Sequence, residues 1–239
     1  METLNESTVV SRDRCPKCAA MGGDNSGDNL AVYSDGHVHC YCCGYHKGNK
    51  MSAEPSTSNF NKLNGTFSDL SHRRIEEKTC RQFGYQTAHV NNNDVEIANY
   101  FSTEGELVAQ HIRGPNKQFA WKGSPKSVQL FGQHLWKMSG KRLVITEGEI
   151  DCMTVCQLLG GTWPVVSVPN GAQSALKAIK DNLEFVSSYQ EVVLCFDMDD
   201  AGQDAAKAIS EILPPGKCKI AKLPLKDANE CLVTNQGKA

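Results

Sequence analysis

Residues 141–161 read KRLVITEGEIDCMTVCQLLGG, and the change of period inside this stretch decides the fold. Leu143-Val144-Ile145 is a short apolar run without alternation, as in a strand covered on both faces. After Glu147-Gly148 the apolar residues Ile150, Met153, Val155, Leu158 and Leu159 recur at helical spacing, and Gly160-Gly161 stops them. The form repeats downstream. Val165–Val168 predicts a strand, Pro169-Asn170-Gly171 a turn, and a helical pattern follows. Val192–Phe196 predicts a third strand, which Asp197-Met198-Asp199-Asp200 and Ala201-Gly202 lead into another helix. A last short strand is expected over Lys219–Leu223. Apolar strands alternating with helices predict an α/β domain with a parallel sheet covered on both faces.

In such sheets ligands bind outside the carboxyl ends of the strands. Glu147, Asp197, Asp199 and Asp227 all fall just past such ends. Asp197 and Asp199 are two apart, so an extended backbone aims both the same way. Acids at a strand–helix junction can simply cap helices, and Asp200 is a good cap candidate. Four acids converging on one edge need more than caps, because clustered carboxylates repel unless a cation neutralises them. Oxygen ligands with open positions suit Mg²⁺ bound together with a phosphate substrate.

Upstream of this edge the charge changes sign. From Leu107 to Thr146 there is no Asp or Glu, while Arg113, Lys117, Lys122, Lys126, Lys137, Lys141 and Arg142 occur. The net charge of −2 hides this basic segment, which predicts a polyanion-binding surface. Phe119 and Trp121 lie inside it and are read first as core, second as rings for stacking on a base.

Further upstream, residues 48–65 are rich in Ser, Asn, Gly and Thr and read as a linker, with a span near ~20 Å at roughly 5–6 Å × √n. Before it, Cys15-Pro-Lys-Cys18 and Cys40-Tyr-Cys-Cys43 are separated by 21 residues. Two such knuckles predict a structural Zn²⁺ site of four thiolates, Cys15, Cys18, Cys40 and Cys43, with Cys42 left over. Asp35-Gly36 between them is a hairpin signal. Two uses fit this ribbon: a folding staple, or a face whose Tyr33, His37, His39 and Tyr41 touch bases.

The remaining features bound the class. The chain has 239 residues, 40% of them hydrophobic, enough for one or two cored domains. No apolar run approaches the roughly 20 residues of a membrane span. The N-terminus lacks a signal peptide's apolar centre, so a reducing, cytoplasmic setting is expected, with cysteines as thiols or metal ligands. No Gly-x-x-x-x-Gly-Lys-Ser/Thr loop occurs, so the chain reads as a free-standing module or a fragment without a nucleotide-driven motor.

The stretches TEGEIDCMTV, FDMDDAG and KDANE resemble the three motif segments of the TOPRIM domain, shared by topoisomerases and bacterial-type primases. The order of zinc ribbon, linker, basic segment and TOPRIM resembles the primase half of the primase–helicases of short-tailed phages, as do SDGHVHCYCC and SPKSVQLFGQHLW. The resemblance spans roughly residues 12–235. It implies a zinc ribbon at 1–48, a linker at 49–64, a basic α+β subdomain at 65–140 and a TOPRIM subdomain at 141–239. It also implies a DNA primase that makes short RNA primers on single-stranded DNA from ribonucleoside triphosphates, working with a replicative helicase and a DNA polymerase. By motif match, Glu147, Asp197 and Asp199 take the catalytic role, with Asp227 as a further Mg²⁺ ligand and Asp151 in support. Glu147 is read as a metal ligand or an acid/base. Nucleotide and template binding falls on Arg113, Lys117 and Lys126, joined by His111 where the relatives carry lysine. A zinc–TOPRIM recombination mediator and a TOPRIM nuclease are the alternatives. The mediator's Cys pairs lie close together, and a nuclease's further domains have no room here.

Overall fold

The computed structural model describes residues 9–20, 27–34, 36, 38–40, 42, 43, 45–47 and 60–236. The chain divides into two units, Met1–Ser56 and Thr57–Ala239.

The first unit is a four-stranded antiparallel ribbon of β1 (Val9–Asp13), β2 (Leu30–Tyr33), β3 (Val38–Cys40) and β4 (His46–Lys47), with α1 (Pro16–Ala20) after β1. β2 and β3 pair Leu30 with Cys40 and Val32 with Val38. The turn between them holds Gly36 at φ +82°, whose N–H donates to the Tyr33 carbonyl at 2.8 Å. Its small core is Cys15, Cys18, Leu30 and Cys40. Apolar side chains this few, counted among the described residues, cannot offset the ordering entropy alone, which is the usual reason for a metal staple. Tyr33 and His39 are half-buried on this ribbon; His37 and Tyr41 lie outside the described residues.

The second unit joins an antiparallel sheet to a parallel one. α2 (Glu77–Phe83) precedes the sheet β5 (Tyr85–Val90), β6 (Asn93–Phe101), β7 (Leu107–Arg113) and β8 (Phe119–Gly123), in that spatial order. The parallel sheet contains β9 (Gly140–Thr146), β10 (Val165–Ser167), β11 (Tyr189–Cys195) and β12 (Cys218–Ile220), in the order β10-β9-β11-β12. Its helices are α3 (Glu149–Leu158), α4 (Ala172–Asp181), α5 (Leu183–Ser187), α6 (Asp200–Ile212) and α7 (Ala228–Val233). The expected strand at 219–223 is shorter and ends at Ile220.

Period two sorts the parallel strands between two cores. Leu143 and Ile145 point into the core shared with α4, α5 and α6, whereas Val144 points into the core shared with α2, α3 and β5–β7. Val166 and Val165 divide the same way. Phe131 joins the two sheets. It is fully buried, exchanges backbone hydrogen bonds with Ser167, and packs on Phe83 and Tyr100 with ring centroids 5.6 and 5.4 Å apart.

Residues 60–64, within the stretch read as linker, dock on the antiparallel sheet. The buried Gln110 side chain accepts from Leu63 N–H at 2.7 Å and donates to the Leu63 carbonyl at 2.9 Å, and Lys122 donates to the Asn61 carbonyl. Buried amide groups need partners, and this backbone supplies them. Residues 48–59 of the same stretch lie outside the described residues.

Candidate active site and metal centre

Two of the four parallel strands, β9 and β11, release acids where they end, whereas β10 leads into Val168-Pro169-Asn170 and β12 stops at Ile220, well before Asp227. β9 runs to Thr146, and Glu147 follows. Glu147 Oε1 accepts from Ala172 N–H, the first residue of α4, at 3.3 Å, while its Oε2 is buried without a hydrogen-bond partner. Burial pushes this carboxyl above its ordinary range, and the Asp199 charge adds to the push. Gly202 lets α6 come this close. A Cβ there would lie 2.5 Å from the Asp197 carbonyl oxygen and 2.9 Å from Glu147 Oε2.

β11 ends at Cys195 and releases Asp197 and Asp199. Asp197 is pushed up to about 6 by burial first, then by the Glu147 and Asp227 charges. Asp199, not Asp200, is the N-cap of α6: its Oδ1 accepts from Gly202 N–H at 3.0 Å, and Asp200 is the first helical residue. The N-cap position favours a side chain on an extended backbone, and Asp199 has φ −79° and ψ 167° there. Asp227 likewise caps α7, accepting from Glu230 N–H at 2.7 Å. The Met198 N–H donates to the Lys226 carbonyl at 2.7 Å, which brings the Asp227 segment alongside. Lys226 Nζ then stands 3.8 Å from Asp197 and 3.6 Å from Asp199. Asp151, on α3, accepts from Asn229 N–H at 3.0 Å and is pushed up to about 7 by burial and by the Asp227 charge.

The antiparallel sheet supplies the opposite wall. A cavity of about 400 Å³ is lined by Glu147, Asp151 and Asp197 on one side and by His111, Arg113, Phe119 and Trp121 on the other. His111 Nδ1 and Tyr100 Oη both bond Glu149 Oε1, at 2.7 and 2.8 Å. Trp121 Nε1–H donates to Asn170 Oδ1 at 3.1 Å. Both ties fix the aromatic wall against the carboxylate edge. Arg113 thus reaches the cavity; Lys117 and Lys126 are exposed and do not line it.

Glu149, Asn170 and Lys226 escape a reading of strand ends for acids. Glu149 carries the ordinary mark of a helix first turn, and nothing in its local sequence points to a histidine 38 residues away. Lys226 has one signal, a cation directly before Asp227.

In the first unit the sulfurs of Cys15, Cys18, Cys40 and Cys43 all lie within 4.8 Å of one another. Cys18 N–H points at Cys15 Sγ at 3.5 Å, as the turn of a knuckle requires. Cys42 is exposed and outside the group. Four cysteine sulfurs converging in one cluster, three of them from buried residues, form a donor set suited to a structural zinc ion.

Comparison with known proteins bears on the same regions. Residues 65–123 match the family model described as the bacteriophage T7 DNA helicase/primase N-terminal a+b fold, and residues 144–232 match the Toprim-like model. The chain is 38% identical, over its whole length, to the DNA helicase/primase of Enterobacteria phage T3. It spans 44% of that protein's length. The crystal structure of the primase fragment of the bacteriophage T7 primase-helicase is 36% identical, with a TM-score of 0.72, covering 97% of either chain. A structure of the T7 lagging-strand DNA polymerase interacting with primase domains bound to an RNA/DNA hybrid and dTTP contains a chain 41% identical, with a TM-score of 0.69, covering 73% of this chain and 89% of that one. Two family matches in the order of the two sheets, and likeness to the T7 fragment from end to end, assign the chain to the primase family of the T7-type phage helicase/primases.

Proposed function

We propose that this chain synthesises short RNA primers on single-stranded DNA, joining ribonucleoside triphosphates by nucleotidyl transfer. The observation that carries the reading is the two-sided cavity, with carboxylates from separate strand ends facing Arg113 and an aromatic wall. Magnesium fits this edge: the donors are hard oxygens, and Glu147 Oε2 is a buried acceptor without a partner. Glu147, Asp197, Asp199 and Asp227 would hold it. Bound there, magnesium would stabilise charge on the phosphoryl oxygens and align the attacking hydroxyl with the leaving pyrophosphate.

The chain's own groups do the rest. Asp151 supports the edge by holding the backbone of α7 through Asn229. Lys226 offsets the mutual repulsion of Asp197 and Asp199. Arg113 takes triphosphate oxygens, and His111, oriented by Glu149, presents its other ring edge to the same ligand. Lys117 and Lys126 carry template phosphates outside the cavity. The first unit holds one structural zinc on Cys15, Cys18, Cys40 and Cys43 and contributes template selectivity. The boundaries of the working parts are taken as 1–48, 49–64, 65–140 and 141–239, with residues 60–64 packed on the third part and β9 beginning at Gly140. A replicative helicase and a DNA polymerase are the proposed partners, and a host cytoplasm that keeps thiols reduced is the proposed compartment.

Incorporation of labelled ribonucleotides on a bare single-stranded template tests the reading. Magnesium-dependent primers of defined start are expected. Strand cleavage or annealing without incorporation would overturn it in favour of the nuclease or the mediator.

A further inference from the structure

Three rings on the antiparallel sheet form one stack. The His111 ring lies 4.4 Å from Trp121 at 12° and 5.2 Å from Phe119 at 23°. Strand register produces this order. β7 and β8 pair His111 with Trp121 and Arg113 with Phe119, so Phe119 sits diagonally beside His111 on the same face. The two inner rings are fixed. Trp121 packs on Tyr100 with centroids 5.0 Å apart and bonds Asn170, while His111 is held edge-on by Glu149. The outer ring is different. Phe119 is 55% exposed at the mouth of the cavity, and the Arg113 guanidinium carbon lies 5.6 Å from its centroid.

A ring used only as core would be covered, as Tyr100 is. This one ends the stack, with the Arg113 cation over its ring, across a cavity from carboxylates that suit a phosphate-bound metal. A nucleotide has the complementary make-up: a flat π-face joined to anionic phosphates. We propose that Phe119 is the base-stacking residue of this site, taking a nucleobase on its exposed ring while Arg113 meets the attached phosphate. Phe119 offers no hydrogen-bonding group, so it distinguishes a base from no base and does not read which base. The inference rests on the nucleotidyl-transfer reading above. The base can come from the incoming triphosphate or from the template strand, since both carry the same chemistry.

Titration calorimetry on the full chain separates these. ATP is compared with inorganic tripolyphosphate, and a short oligo(dT) with an abasic strand of equal length. Within one pair or both, the base-bearing ligand is expected to bind tighter. Phe119→Ala should remove about 5- to 150-fold of that advantage, and Phe119→Tyr and Phe119→Trp should keep it. Affinity for tripolyphosphate and the abasic strand should not move. The pair that responds identifies the source of the base. Equal binding of base-bearing and baseless ligands by the wild-type chain would overturn the proposal, as would an advantage that survives Phe119→Ala. A loss shared by the baseless ligands would also overturn it. Primer synthesis by the wild-type chain is measured in parallel. Its absence, with base-dependent binding intact, would remove the primase reading and leave the stacking site standing.

Discussion

Asp199 accepts a hydrogen bond from Gly202 N–H and faces Lys226, so one side chain is both a helix cap and a candidate metal ligand. Two substitutions pull these jobs apart. Asparagine still caps but carries no charge, so Asp199→Asn should lose magnesium affinity in calorimetry with little change in thermal midpoint. Asp199→Ala should lose both, with a further stability cost of about 1 kcal/mol, or about 2–4 °C in a unit of this size. Asp197 and Asp151 make a second prediction, on pH. Their folded-state values, about 6 and about 7, lie above the roughly 3.9 of an unfolded Asp. The stability they contribute is therefore full below about pH 4 and lost as pH rises through 6 to 7. Metal-free protein should show a midpoint that falls as pH rises across that window. Magnesium should recover it, and Asp197→Asn should flatten the profile.

At the scale of elements, the site depends on how closely α6 approaches β9. Gly202→Ala would drive a methyl against the Asp197 carbonyl and Glu147 Oε2. Overpacking of this kind costs about 1–3 kcal/mol. The expected result is a primer-synthesis rate reduced at least tenfold and a lower midpoint, whereas Ala205→Gly, on the same helix and away from the acids, should lower the midpoint alone. The strand–turn–helix pattern makes the parallel sheet legible in the chain itself, because period and breakers are local properties. Which acid caps α6 is not legible there. Asp199 and Asp200 are adjacent and both fit, and the backbone path out of β11 selects Asp199.

At the scale of the molecule, the two units have separate cores, and each prediction follows one of them. A chain starting at Thr57 keeps residues 60–64 on the antiparallel sheet and should melt cooperatively and bind magnesium. Starting at Lys62 would remove Phe60 and Asn61, which lie against Gly123 and Lys122. In the full chain a zinc chelator or Cys43→Ser should expose the first unit to protease and leave the Thr57–Ala239 transition in calorimetry unmoved, while Cys42→Ser should do neither. The basic segment makes a prediction about salt. Removing Arg113 and Lys117 together should weaken template binding for all sequences alike. It should also flatten the log K versus log salt slope by about 0.7 for each single-strand phosphate that is no longer neutralised.

The sequence by itself determined the four-cysteine group, the parallel α/β sheet and the acids at its strand ends. Each depends on spacing along the chain, and spacing is written there. Only the tertiary structure decided what faces those acids. His111 meets Glu149 and Trp121 meets Asn170 across separations of 38 and 49 residues, set by how the antiparallel sheet docks on the parallel one. Phe119 reads as core because an aromatic in a strand is usually covered. It is open here because β8 is the outer strand of its sheet, and the stack ends where the strands do.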